Sequence, residues 1–173
     1  MYPKEYIQYL VHFHGDRDYF ECHEILEEYW KKQDSSNKQS VWVGFIQLAV
    51  SCYHHRRGNY TGAKKTLEIA MKIFTKKEKL IRNLGLNEIS LFAIVEDCFI
   101  KLGQKHPYKS FNLPIYDPLL LQQCQSLCSE LGFTWCIDSD LNNNFLVHRH
   151  KLRDRTNVIK ARENAMKARK GSE

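Results

Sequence analysis

Apolar residues recur along this chain at the three- and four-residue spacing of amphipathic helices, and polar or glycine-containing breaks divide that pattern into five helices before residue 103. Pro3 suits a first helical turn, where its missing N–H has no intrahelical acceptor to lose, and Tyr6, Leu10 and Phe13 then repeat up to Gly15. Asp18 caps a second helix that turns Phe20, Cys22, Leu26, Tyr29 and Trp30 inward and Glu21, Glu28 and Lys32 outward. The polar stretch 33–39, QDSSNKQ, is a surface loop.

A third helix spans about 40–57, and its segment VWVGFIQLAVSCY is apolar nearly all round, the mark of a central helix. Gln47, Ser51 and His54 form one polar stripe on it. Gly58-Asn59 ends it, and a fourth helix from 60 to about 77 carries Ala63, Leu67, Ala70, Met71 and Phe74 on one face. Asn87 caps a fifth, whose buried face is read as Ile89, Leu91, Ile94, Val95, Cys98 and Leu102 before Gly103 stops it. Short connections make successive helices antiparallel neighbours.

Beyond Gly103 the pattern loosens. Residues 103–116, with Pro107 and Pro114, read as an irregular crossing segment, and Asp117-Pro118 opens a sixth helix lined inside by Leu120, Cys124, Leu127, Cys128 and Leu131. The β-prone runs 133–137 and 145–148 flank DSDLNNN and predict a small β-hairpin. Residues 157 to about 170 are helix-prone and basic. The fold class is therefore all-α: a compact bundle of antiparallel helical hairpins over 1–103, with a C-terminal extension over 104–173 that ends in a basic tail, 148–173.

Composition narrows the class. With 173 residues, 43% apolar and 27% charged, the chain suits one ordinary globular domain and not a disordered one. No apolar run approaches the roughly 20 residues of a membrane span, and MYPKEYIQYL is too polar for a signal peptide, so a cytoplasmic protein with no membrane association is expected. None of the six cysteines forms a C-x-x-C pair, which favours reduced, structural thiols. The net charge of +6 is uneven: residues 1–147 hold 17 basic and 17 acidic residues, and 148–173 hold nine basic and three acidic. Such a tail could contact nucleic acid or an acidic protein through counterion release, and no recognisable nucleic-acid fold accompanies it.

Candidate chemistry concentrates in DYFECHEILEEYWKK. His23 and Glu27 lie one turn apart on a single face, between Phe20 and Trp30. The string H-E-x-x-E can aim two donors at one divalent metal ion, as H-E-x-x-H does. A third ligand would come from the end of the third helix, His54 or His55, with Gln47 orienting a ligand and Glu24 or Glu28 acting as base toward a bound water in a metal-dependent hydrolase. The same spacing is also met by an intrahelical His23–Glu27 hydrogen bond that completes a polar network with Gln47 and His54 and holds no ion. His12 and His14 read as surface residues at a helix end, and His148 and His150 carry little weight as ligands.

A faint repeat points to a different class of function. At an offset of 41 residues Tyr19, Cys22, Leu26, Glu27 and Trp30 align with Tyr60, Ala63, Leu67, Glu68 and Met71, and the stretch around G-N-Y is similar to a tetratricopeptide unit. Two units fall short of a solenoid but suit a helical-hairpin interaction module that binds a protein partner or a second copy.

The residues YFECHEILEEYW, followed by GFIQLAVSCYHHRRGNYTGA, resemble the domain-of-unknown-function 309 family, whose H-x-x-x-E-x-x-W/Y motif is present as His23, Glu27 and Trp30. The resemblance implies a compact helical domain with no assigned activity and a metal-binding role for the motif. From about residue 112 onward the chain is an extension on which that motif says nothing.

Overall fold

Polar side chains that accept a hydrogen bond from the first turn decide where most of the helices begin. Asp18 accepts from the Glu21 N–H, Ser40 from Trp42, Asn59 from Gly62, Asn87 from Ser90 and Asp117 from Leu119. The computed structural model describes residues 1–152 and 156–171, and these form ten helices. They are α1 (Lys4–His14), α2 (Tyr19–Asp34), α3 (Val41–Arg56), α4 (Tyr60–Lys76), α5 (Glu78–Asn83), α6 (Glu88–Gly103), α7 (Pro118–Glu130), α8 (Asn144–Val147), α9 (Arg149–Leu152) and α10 (Thr156–Lys170). None is long and apolar enough to cross a membrane.

Helix α3 is the centre. It packs against α2 on one side and α4 on the other, as its all-round apolar sequence requires, while α1 joins α2 to α7 and α6 lies on α4. Phe45, Leu48 and Ala49 are fully buried. The Phe45 ring meets those of Tyr6 (5.7 Å), Tyr9 (5.7 Å) and Phe74 (5.0 Å), and the Tyr9 hydroxyl donates to the Phe45 carbonyl at 2.9 Å. Gly44 permits the close approach of α4, since a Cβ there would stand 2.7 Å from the Phe74 ring. At the far end Gly58 takes φ +80°, a left-handed turn that a side chain would disfavour, and so reverses the chain into α4.

Several expectations need correction. Ile89 and Leu131, expected on buried faces, are both exposed; Leu91, Val95 and Leu102 bury α6, and Leu120, Cys124 and Cys128 bury α7. The β-hairpin does not form, and no strand occurs among the described residues apart from an isolated Leu86–Ile115 bridge. The backbone groups of these runs bond elsewhere: Phe133 N–H to the Cys128 carbonyl, Cys136 N–H to the His14 carbonyl, and Leu146 N–H to the capping Asn143 side chain, which starts α8. His14 is not a surface residue but is 1% exposed. Its Nδ1–H donates to the Leu10 carbonyl at 2.7 Å, its Nε2 accepts from the Leu113 N–H at 2.9 Å, and its ring stacks on Trp135.

Two arginines complete the junction between the helical body and residues 104–152. Arg17, at φ 57° in the α1–α2 turn, is 1% exposed and donates to the carbonyls of Phe111 (2.6 Å) and Ile137 (2.8 Å) and to Asn112 Oδ1 (2.7 Å). Arg56, at the end of α3, donates to the Arg17 carbonyl (2.6 Å), Ser139 Oγ (3.0 Å) and the Leu146 carbonyl (3.2 Å), while its guanidinium lies over the Tyr19 ring. All six cysteines are free thiols.

Candidate functional site

The Asp18 cap fixes the register of α2, and that register sets His23 and Glu27 one turn apart. His23 Nε2 bonds Glu27 Oε2 at 2.8 Å, the other Glu27 oxygen pairs with Lys31 at 2.8 Å, and His23 Nδ1 lies 3.5 Å from Glu24 Oε1. Burial pushes the Glu27 carboxyl up, but Lys31 and His23 outweigh it and hold it below the usual carboxylate range. Both side chains remain partly in solvent, at 24% and 32% exposed.

The two residues face different surroundings. His23 lines a small cleft of about 180 Å³ between α2, α3 and α9, walled mainly by Phe20, Val50 and Tyr53 and carrying His54, Arg57 and His150 at its polar edge. Glu27 lines a shallow acidic groove with Glu21, Glu24 and Glu28.

The other candidate residues are spread out. His54 shares the cleft, but its Nδ1 is engaged by Asn59 Nδ2 at 3.2 Å. Burial, then Arg57, lowers its pKa. His55 points away and bonds the His106 carbonyl at 2.8 Å. Gln47 is half-buried on α3 and makes no hydrogen bond to His23 or Glu27. Trp30 is an anchor for the loop: its indole N–H donates to the Asn37 carbonyl at 3.1 Å and Lys38 lies over its ring. Among the described residues no group of three or more His, Cys, Asp or Glu comes together to hold a metal ion.

Residues from the C-terminal part close the cleft. Arg149 pairs with Asp18 and with Glu21 (3.0 Å) and lies over Phe20. His150 bonds the Tyr53 hydroxyl through Nδ1 and Arg57 through Nε2 (2.9 Å). An arginine can only donate, so Nε2 is the bare nitrogen and the His150 proton sits on Nδ1. Burial followed by Arg57 lowers the His150 pKa, which keeps the ring neutral. The Tyr53 oxygen then accepts from His150 Nδ1–H and from the His150 backbone N–H (3.1 Å), which leaves the tyrosine's own proton to be donated elsewhere.

Comparison with known proteins now bears on this site. The sequence model for the domain of unknown function DUF309 matches residues 6–66. The chain is also similar to the uncharacterized protein YpuF of Bacillus subtilis (strain 168), with 46% identity over 172 residues that cover 99% of each chain. The chain belongs to the DUF309 family. No solved structure matches it.

Within this DUF309 chain the matched stretch runs from α1 into α4, so it supplies His23, Tyr53, His54 and Arg57 but neither Arg149 nor His150. The cleft is thus assembled from the family region and from a segment about 90 or more residues away in sequence. No local spacing links His150 to Tyr53, which is why sequence reasoning gave that histidine little weight. Arg57 and Tyr53 stood in the quoted motif without a feature to single them out.

Proposed function

We propose that this DUF309 protein is a protein-interaction module whose helical body presents the basic helix α10 to an acidic surface of a partner protein. The observation that supports this best is that every described side chain of α10 is exposed. An isolated helix of this length is marginal in water, and the described part of α10, Lys160 and residues 162–170, gains no burial from its own chain. Nine basic residues against three acidic ones over 148–173 set the sign of the surface that would hold it. Arg149, at the head of that segment, already engages two carboxylates in the chain itself.

The test is cross-linking and affinity capture from cells with the full chain and with a chain ending at residue 152. An acidic protein should be recovered by the first, released by salt and missing from the second. Equal recovery by both chains would refute the reading. Material lost on nuclease treatment would assign the tail to nucleic acid instead.

A second reading is favoured by the gathering of His23, His54 and His150 around one cleft. In it His23, Glu27 and His54 hold a divalent metal once His54 releases Asn59, and Glu24 serves as base toward a bound water. Zinc or manganese titration followed by calorimetry should then give one site that His23→Ala abolishes, and wild-type protein that takes up no metal ends the idea.

A further inference from the structure

Arg17 and Arg56 are buried cations without a counter-ion among the described residues. Neither forms an ion pair among the described residues, and the acceptors of their N–H groups are four carbonyls, one amide oxygen and one hydroxyl, all of them neutral. Arg56 Nε is enclosed with no acceptor at all. Buried charges are ordinarily paired, because desolvating an isolated ion is costly.

A cavity of about 440 Å³ opens beside them, lined by Tyr108, Lys109, Ser110, Asp138, Ser139 and Leu141. Its floor has a proton order that follows from burial. The Tyr19 hydroxyl is fully buried and bonds only that of Tyr108, which in turn bonds Ser110 Oγ at 3.0 Å. Tyr19 must therefore donate to Tyr108, and Tyr108 to Ser110. Ser110 Oγ also accepts the Ser139 N–H at 2.8 Å, so its acceptor positions are filled and its own proton is left for the cavity. Ser139 Oγ accepts from Arg56 and likewise has its own proton to give. Two hydroxyl donors, one of them polarised by a buried guanidinium, thus share this lining with the exposed Lys109. The carboxylate of Asp138 is the single opposing charge on the lining.

We propose that this cavity is a binding site for a phosphate-type oxyanion, held by Ser110, Ser139 and Lys109, with Arg56 acting on it through the Ser139 hydroxyl. Two hydroxyl donors and an ammonium suit a small, strongly hydrogen-bonding anion, charge-assisted bonds to it being the strong ones, and Asp138 is the one group on the lining that opposes it. The site is separate from the α2–α3 cleft and does not depend on the function proposed above.

Calorimetric titration of sodium phosphate into the full-length protein at neutral pH, against sodium chloride of equal ionic strength, tests it. One saturable site is expected, weakened about tenfold, equivalent to about 1.4 kcal/mol, by Lys109→Met and by Ser139→Ala, and tightened by Asp138→Asn. Lys109 is exposed, so its variant folds even where Ser139→Ala does not. Phenyl phosphate binding more tightly than phosphate would place an organic group against Leu141, and equal affinity would make free phosphate the ligand. No saturable binding at about 10 mM phosphate, ten times a weak Kd of about 1 mM, overturns the proposal, as does binding that Lys109→Met leaves unchanged.

Discussion

Around α3 the molecule is joined chiefly by rings and aliphatic chains, with Phe45 set among Tyr6, Tyr9 and Phe74, whereas the irregular stretches flanking α7 within 104–152 are tied on by hydrogen bonds that Arg17 and Arg56 donate to them and by the Leu113 N–H that His14 accepts. The first arrangement is non-directional and spread over many contacts. The second is directional and rests on a few donors, each serving more than one loop. A helix brings its own backbone hydrogen bonds and needs only an apolar face, but an irregular segment must find outside partners for its carbonyls. Buried arginine supplies up to five donors from one side chain, which suits that task.

The largest effect should come from breaking the apolar side. Phe45→Ala is expected to cost about 4 kcal/mol, as for other buried aromatics, and to lower the whole denaturation curve in one transition, because α1, α3 and α4 share that ring. Arg17→Met strands the Phe111 and Ile137 carbonyls and Asn112, and at roughly 1 kcal/mol or more for each lost partner the expected cost is about 3 kcal/mol. Its signature should differ: limited proteolysis would cut within 104–152 while the helical content of the body persists. A single cooperative loss for both variants would erase the distinction.

Acid probes the same junction. Burial, opposed by backbone bonding and aided by Arg17, lowers the His14 pKa from 6.5 to about 4. Because the folded protein resists protonating this ring and the unfolded chain does not, stability is fully present above pH 6.5 and is lost as pH falls toward 4. That interval corresponds to a loss of up to about 3 kcal/mol at 1.36 kcal/mol per pKa unit. Urea titrations across this range should show a slope that His14→Gln flattens; an unchanged slope would mean that His14 is not the residue responsible.

The smallest effect is the most informative about the motif. His23 and Glu27 form a partly exposed pair, and such i, i+4 pairs are worth about 0.3–0.5 kcal/mol. Glu27→Gln should therefore leave the melting temperature almost unmoved. A large drop would make the motif a structural device, while unchanged stability with loss of metal or partner binding would make it a functional one.

These regions also differ in how readable they are. The spacing of Tyr6, Leu10 and Phe13, the caps at Asp18, Asn87 and Asp117, and the all-round apolar face of the central helix are local signals, and each led to the right element. Ile89 misled because apolar character on a surface helix was taken for burial. The short α5, α8 and α9 passed unseen, being too brief for periodicity to register. Arg17, Arg56 and His14 gave no hint, since a polar residue becomes buried only when distant carbonyls arrive to receive it. The candidate site was legible as one face of α2; its other wall, from Tyr53 to His150, is a product of tertiary folding.

The separations across the Arg17 and Arg56 bonds, 94 and 120 residues to Phe111 and Ile137 and 90 to Leu146, carry a consequence for synthesis. Domains emerge from the ribosome N-terminus first, so α1 to α4 can assemble while both guanidiniums are still hydrated and lack their later carbonyls. Until residues 137–146 leave the exit tunnel, the nascent chain carries a wet cationic notch at the α1–α2 turn, which closes only once those residues have emerged.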